Sequence, residues 1–471
     1  MEIVLLAGIP LLLVGLSRPS WLWFAFPFIA FFTNRLFGTR TLEDVYTSKI
    51  PYGFLCAFAL AGFAYVGKSL ASSQPPIKQI PLFSNCAFFL VAGLLSLFDT
   101  TYPVQGLKFF AGWCCYFLFF YIAANALLAP SVYKSFLIGN ALNAGICAIL
   151  MVFRAFRAGF APRSAEIWDI TWLTSNEIGF YFEPIICICV CILFFSRKRF
   201  AWNGWVMGLL LVLLIAVVFA GTRGTWVSLF ATASVMLLRF PMKQKIRALI
   251  AVGTLAFVFY QALSFSPFAQ ERISTLEGFT HPAISKEQIV RSSIESRKYL
   301  VQVGLRMILA HPFNGVGLGN YSSYYHEYAP YVGDPILQEL LSRSHTPHNF
   351  FLRFGAETGL AGLIATGFLL ITVYRHLQAA IRIRHGEPWD SLLLGCFLGF
   401  ISNVVHCLFQ ERIFGFYFWA FLGITYATLY HAQKAASTLP VEGQNHVIVN
   451  HSKRVRTLRA ANSGTSMVVG R

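Results

Sequence analysis

Charge is what this chain has least of. Asp, Glu, Lys and Arg make up 12% of its 471 residues, against roughly 25% in soluble globular domains. Carboxylates are the scarcer sign, 20 against 37 basic groups. With 56% hydrophobic residues and a mean hydropathy of +0.60, this excludes an ordinary soluble enzyme. The large polar loop late in the chain has no cysteine. All ten cysteines, Cys56, Cys86, Cys114, Cys115, Cys147, Cys187, Cys189, Cys191, Cys396 and Cys407, lie in apolar runs, so no disulfide framework is indicated. Cys187-x-Cys189-x-Cys191 has metal-like spacing, but alternate residues of a helix point to different sides. These read as small apolar helix residues. Nucleotide signatures are missing too, because Gly315-Val-Gly317-Leu-Gly319 follows no β-α-β unit.

What is there is apolar sequence in long runs, near 2–17, 19–34, 50–67, 80–98, 105–128, 132–153, 177–196, 201–220, 225–239, 246–265, 349–374, 390–409 and 412–430. Runs of about 18 or more mark spanning helices, which predicts an all-α, polytopic membrane helix bundle of about 12–13 transmembrane helices. The first run, Ile3 to Leu16, leads into more membrane-like sequence rather than a small-residue cleavage site, and reads as a retained anchor. The units expected are an N-terminal bundle over 1–265, a large, partly helical periplasmic loop over 266–348, C-terminal transmembrane helices over 349–430, and a basic, disordered cytoplasmic tail over 431–471.

The net charge of +17 sits in short clusters between the runs: Arg197-Lys198-Arg199, then Arg239, Lys243, Lys245 and Arg247, then Arg375, Arg382 and Arg384, then the tail. This is positive-inside patterning and argues against nucleic-acid binding. With those clusters cytoplasmic, the turns at 221–224 and 410–411, the segment 154–176 and the loop 266–348 face the other side. Arg35, Arg40 and Lys49 then fall on an outer loop, against the pattern.

Within the large loop, Ser292-x-x-Glu295 resembles a capping box. Leu300, Val303, Met307 and Ile308 then follow at helical spacing before Pro312, predicting a helix over about 293–310 near the membrane surface. Tyr321, Tyr324, Tyr325 and Tyr328 are assigned to the headgroup level, which aromatic residues favour.

Few residues offer chemistry. Arg223 lies in Gly221-Thr-Arg-Gly224, and glycine on both sides predicts a tight, exposed turn presenting the guanidinium; the alternative is an interfacial anchor. Arg297 opens the loop helix, with Arg291 before it. Arg306, nine residues on, falls on the opposite side of the same helix. His348 stands in His345-Thr-Pro347-His348-Asn349 at the entry to the next run, where an imidazole can take a proton from a hydroxyl. Two histidines permit a metal, but no Cys or Asp joins them locally. Gly359 and Gly362 lie deeper and read as structural, letting a neighbouring helix approach. Glu357, ionisable inside a span, should face the bundle with a partner, for which the outer-face arginines are candidates.

His348-Asn349, nine residues, then Gly359-Leu-Ala-Gly362, all after a large outer loop, resembles the O-antigen ligase and O-antigen polymerase superfamily of bacterial membrane glycosyltransferases. Gly221-Thr-Arg223-Gly, Ser296-Arg297 and Pro312-x-x-Gly315-Val-Gly317 support the resemblance in motif order over about 210–375. It implies an inverting, metal-independent transfer without cofactor, at the periplasmic side of the bacterial inner membrane. The donor implied is a glycan on undecaprenyl pyrophosphate. The acceptor is lipid A–core or another glycan, and membrane lipids surround the site. By the same resemblance Arg223 and Arg297, with Arg291 the competitor for the latter, bind the pyrophosphate, His348 acts on the acceptor hydroxyl, and His345 and Asn349 lie in the substrate site.

Three acceptors remain open. Lipid A–core makes a ligase, a lipid-linked repeat a polymerase, and a protein hydroxyl an O-oligosaccharyltransferase. The ligase is favoured by His348 directly preceding Asn349 and by the single large loop lying late in the chain. A lipid-linked glycan transporter would place ionisable groups near the midplane of several spans; here they gather at one membrane face.

Overall fold

The computed structural model describes residues 18–32, 52–73, 77–98, 100–159, 175–196, 202–239, 293–332, 347–383, 385–411 and 415–437, with isolated positions between them. Among them there is no strand. The helices are α1 (Pro19–Phe32), α2 (Tyr52–Ala71), α3 (Phe83–Leu95), α4 (Pro103–Ala126), α5 (Pro130–Arg157), α6 (Ser175–Val190, continued by a π turn, Cys191–Phe195), α7 (Asn203–Ala220), α8 (Arg223–Arg239), α9 (Ser293–Ala310), α10 (Tyr321–Tyr328), α11 (Phe350–Ala380), α12 (Trp389–His406) and α13 (Phe416–Ser437). The protein is an all-α membrane helix bundle. Six of the described helices are long and apolar enough to cross a membrane and four shorter ones are apolar. The run 2–17 and most of 246–265 lie outside the described residues, as do the segment 160–174 and residues 438–471; residues 431–437, assigned to the disordered tail by the sequence, instead continue α13 with His431 and Ala432 buried.

Local chemistry sets the boundaries. Pro103 and Pro130 occupy the first turns of α4 and α5, where a missing N–H costs nothing. Gly221 closes α7 in the left-handed region at φ 62°. Only Gly221 and Thr222 separate α7 from α8, and α8 packs against α12 and α6. Close helix contacts use small residues. A Cβ on Gly139 of α5 would stand 2.3 Å from the Phe24 carbonyl oxygen of α1. On Gly395 and Gly399 of α12 it would stand 2.7 Å from Ile188 Cα and 2.9 Å from Pro184 Cα of α6.

The bundle has two distinct ends. At one, the turn 96–102, the turn after Gly221, the loop 311–328 and the segments 347–349 and 407–411 lie together. Leu318 N donates to Ser96 Oγ at 3.0 Å, and Asn320 Nδ2 to Thr100 Oγ1 at 2.7 Å. At the other end, Lys78 N and Gln79 N donate to Asn125 Oδ1 at 2.7 and 2.9 Å. His431 Nε2 meets Leu127 O at 2.9 Å and its ring stacks on Trp389.

The loop helix falls at Ser293–Ala310, where its cap and spacing put it. Tyr299, Leu300, Val303 and Met307 are buried. The tyrosine assignment needs correction. Tyr321, Tyr324, Tyr325 and Tyr328 are all buried in a second core with α9. Three hydroxyls are bonded inward: Tyr321 to Leu300 O at 2.9 Å, Tyr324 to Thr101 Oγ1 at 2.6 Å, and Tyr328 to His311 Nε2 at 2.9 Å. With its polar tip bonded, a phenol ring packs as core rather than as a headgroup anchor. Burial pushes the Tyr321 hydroxyl well up, so it remains a protonated donor.

Candidate functional site

His348 enters α11 in an unusual conformation. Its φ is 49°, a left-handed value that non-glycine residues adopt at a cost. Its N–H donates to Glu411 Oε1 at 3.0 Å. Asn349 then caps α11, its Oδ1 accepting from Leu352 N at 2.9 Å, while its Nδ2 donates to Leu408 O at 3.1 Å. Phe350 N donates to Cys407 O at 2.9 Å. Three consecutive residues therefore hang on the chain that leaves α12.

Beneath His348 lies a charged network. Arg353, about one turn beyond the cap, reaches Glu411 Oε2 with Nη1 at 2.5 Å and Glu357 Oε1 with Nε at 2.8 Å. Its guanidinium stands 5.3 Å over the Phe109 ring. Glu357, 0% exposed, also accepts from Gly319 N at 3.0 Å and Tyr321 N at 3.3 Å. The entry to α11, the segment 319–321 and the exit of α12 are thus tied to one guanidinium and two carboxylates, with the desolvation cost of each charge offset by directed bonds. The sequence reading expected a partner for Glu357. That partner is Arg353 of the same helix, four residues back.

Gly359 breaks α11, with φ 63° and ψ −158°. The break leaves backbone groups that the segment Pro312–Gly317 takes up: Val316 N donates to Ala356 O at 2.8 Å, Gly317 N to Glu357 O at 2.9 Å, and Leu360 N to Pro312 O at 2.8 Å. A Cβ on Gly359 would stand 2.3 Å from Phe313 O. The reading of Gly359 and Gly362 as a surface for a neighbouring helix is therefore corrected. Gly359 admits the loop backbone. Gly362 faces Thr358 and Phe354 of the first half of its own helix, a Cβ there lying 1.7 Å from Thr358 Oγ1.

Arg223 is the first residue of α8 and half-buried. The turn before it is tight but not exposed, which corrects the other expectation. Thr222, Gly224 and Thr225 are buried because α12 and its exit cover them. A Cβ on Gly224 would stand 3.0 Å from Phe409 Cβ and 3.2 Å from His406 Nε2. His406 is itself bonded through Nδ1 to Glu183 Oε1 at 2.5 Å, and Ser402 Oγ donates to Glu183 Oε2 at 2.9 Å.

Arg297 is half-buried on α9 and Arg306 exposed, as nine-residue spacing requires. A Cβ on Gly304 would touch Leu352 Cγ at 2.9 Å, and one on Gly355 would lie 3.2 Å from Ile308 Cδ1. So α9 and α11 run the same way along this contact. Arg297, seven residues before Gly304, is then about 10 Å nearer the end from which His348 enters. Arg291 and His345 lie outside the described residues. Cys187, Cys189 and Cys191 pack in the core.

The residues that sequence reasoning passed over are Arg353, Glu411, His406 and Glu183. Two had a legible signal. Arg353 and Glu357 stand at i and i+4, and Glu183 is an acid in an apolar run, which by default marks a functional group.

Among curated proteins none matches this chain. Residues 208–367 match the family model described as O-antigen ligase, a stretch of about a third of the chain that takes in Arg223, Arg297, His348, Gly359 and Gly362 and leaves out Glu183, His406 and Glu411. Over that stretch the chain is similar to the O-antigen ligase superfamily, whose members are membrane glycosyltransferase-type enzymes of the ligase and polymerase kind.

Proposed function

We propose that this protein is an O-antigen ligase-type glycosyltransferase. It transfers a glycan from undecaprenyl pyrophosphate to a hydroxyl of lipid A–core at the periplasmic face of the inner membrane. The observation that carries the reading is that the Arg223 turn and the His348 entry both rest on residues 406–411, so a guanidinium and an imidazole lie at one end of the bundle.

The acceptor oxygen attacks the anomeric carbon of the donor sugar. Its proton passes to the His348 imidazole, the bond from that carbon to the pyrophosphate oxygen breaks, and undecaprenyl pyrophosphate leaves with the electron pair. A single displacement of this kind inverts the anomeric centre. Charge develops on the leaving phosphates, and guanidinium groups bind such oxygens bidentately at any relevant pH. Arg223 and Arg297 take that role, with Arg291 the alternative to Arg297. Arg223 also opens a helix, so the amides of that first turn add to the field felt by an anion. One preorganised donor contributes about 3–4 kcal/mol, and a positioned base about 10²–10⁴-fold. The energy of transfer resides in the donor, so the mechanism needs no metal and no nucleotide.

Cells lacking the protein should lose long glycan from lipopolysaccharide and accumulate the lipid-linked polymer, and His348→Ala should reproduce that phenotype with the protein present in the membrane. An unchanged glycan profile overturns the base assignment; lipopolysaccharide carrying only single repeats makes the protein a polymerase instead. Arg223→Lys should also lose most activity, since a point charge lacks the bidentate fork; full activity demotes Arg223 to an interfacial anchor.

A further inference from the structure

Glu183 and His406 are 0% and 1% exposed, and nothing in the transfer so far uses them. An ionisable pair so deep costs free energy that apolar residues of similar volume would not. Nor does the contact between α6 and α12 require it, because Gly395 and Gly399 already bring those backbones together. The bond from His406 Nδ1 to Glu183, itself held by Ser402, instead fixes the orientation of the imidazole, as a directed bond does and an apolar contact does not.

The oriented ring has neighbours on its other edges. Cε1 would stand 3.2 Å from a Cβ on Gly179, and Nε2 at 3.2 Å from one on Gly224, the residue after Arg223. Phe180 meets the ring edge-on at 5.5 Å. Past His406 the chain alternates between two partners. Cys407 O accepts from Phe350 N and Leu408 O from Asn349 Nδ2; Phe409 Cβ closes on Gly224; Glu411 accepts from His348 N. The stretch 406–411 thus contacts both the Arg223 turn and the His348 entry.

We propose that Glu183, Ser402 and His406 are positioning residues that set the separation of Arg223 from His348. The imidazole seats the first turn of α8 and fixes the direction in which 407–411 leaves α12. This deepens the reading above and rests on Arg223 as a diphosphate ligand. The groups that set the spacing lie outside the stretch that matches the family.

A double-mutant cycle tests it, on the full-length protein in lipid nanodiscs, with undecaprenyl pyrophosphate as the probe. His406→Ala should weaken its binding about tenfold. In an Arg223→Ala background the same change should weaken it by less than about twofold, because the guanidinium it positions is gone; coupled neighbours show such non-additivity. Glu183→Gln, which keeps shape but replaces one of the two acceptor oxygens with a donor, should show the same pattern with a smaller loss, and it carries the test where His406→Ala does not reach the membrane. Gly224→Ala, pressing on the ring from the other side, should couple to His406→Ala in turn. Losses that simply multiply between His406 or Glu183 and Arg223, or unchanged binding in Glu183→Gln, overturn the proposal. If Arg223→Ala itself binds as tightly as the parent, the reading of Arg223 fails instead.

Discussion

The two ends of the bundle are stitched in different currencies. At the end carrying His348, three full charges, Arg353, Glu357 and Glu411, are drawn out of water, and Glu183 is buried beside His406. At the far end the work falls to neutral groups bonded to backbone. Asn125 alone makes four such bonds, to Lys78 N, Gln79 N, Gln79 O and Tyr121 O. The Asp390 carboxylate that meets His385 there stays 31% exposed. Neutral side-chain bonds are enough to close a turn. Buried charge adds a fixed field and a strict geometry, and among the described residues its desolvation cost is met at the end where a leaving diphosphate is proposed to bind. Substitutions at the two ends should therefore fail differently.

The largest effect should come from Arg353→Met. It leaves Glu357 and Glu411 facing each other without a cation, and breaking a buried pair costs about 3–5 kcal/mol. Thermal unfolding in detergent should show that loss. Adding Glu357→Gln and Glu411→Gln to Arg353→Met should restore much of the stability without restoring glycan transfer. Recovery of both together would mean that the network is a structural brace with no bearing on His348.

Gly359→Ala should rank next. The residue is held at φ 63°, and its new methyl group would meet the Phe313 carbonyl. Strain of this kind costs about 1–3 kcal/mol before the clash is counted. The segment 312–317 would have to withdraw, taking with it the amides of Gly319 and Tyr321 that bond Glu357. Transfer should fall along with stability. A stable, active Gly359→Ala protein would show that the loop does not need the break in α11.

How much of this could be read from the chain follows the same divide. The bundle was legible because apolar runs announce themselves residue by residue. The loop helix was legible because Ser292, Glu295 and the spacing of Leu300, Val303 and Met307 are local signals, and it ends at Ala310. Gly359 and Gly362 were visible as a spacing, but a spacing of small residues looks the same whether it admits a helix, a loop or a broken end. The four tyrosines were ambiguous for a like reason, since an aromatic belt and an aromatic core share one composition. Least legible were the bonds between distant residues. Arg353 meets Glu411 58 positions away, and Glu183 meets His406 at 223. Only the packing of α6, α11 and α12 brings these together.

The smallest effect, and the sharpest control, should be Asn125→Ala at the far end. Three of its four bonds close the loop after α2 onto the end of α4, but Lys78 and Gln79 are exposed, so water can satisfy their freed amides. A net hydrogen bond to such groups contributes about 1 kcal/mol, and the shared geometry of the four keeps the total loss to about 1–2 kcal/mol. Unfolding should shift by that amount. Binding of undecaprenyl pyrophosphate and glycan transfer should stay within about twofold of the parent, because no described contact of Asn125 reaches the His348 end. If transfer falls tenfold while stability barely moves, the two ends are coupled through α4, and the division between a neutral end that closes the fold and a charged end that performs the chemistry is wrong.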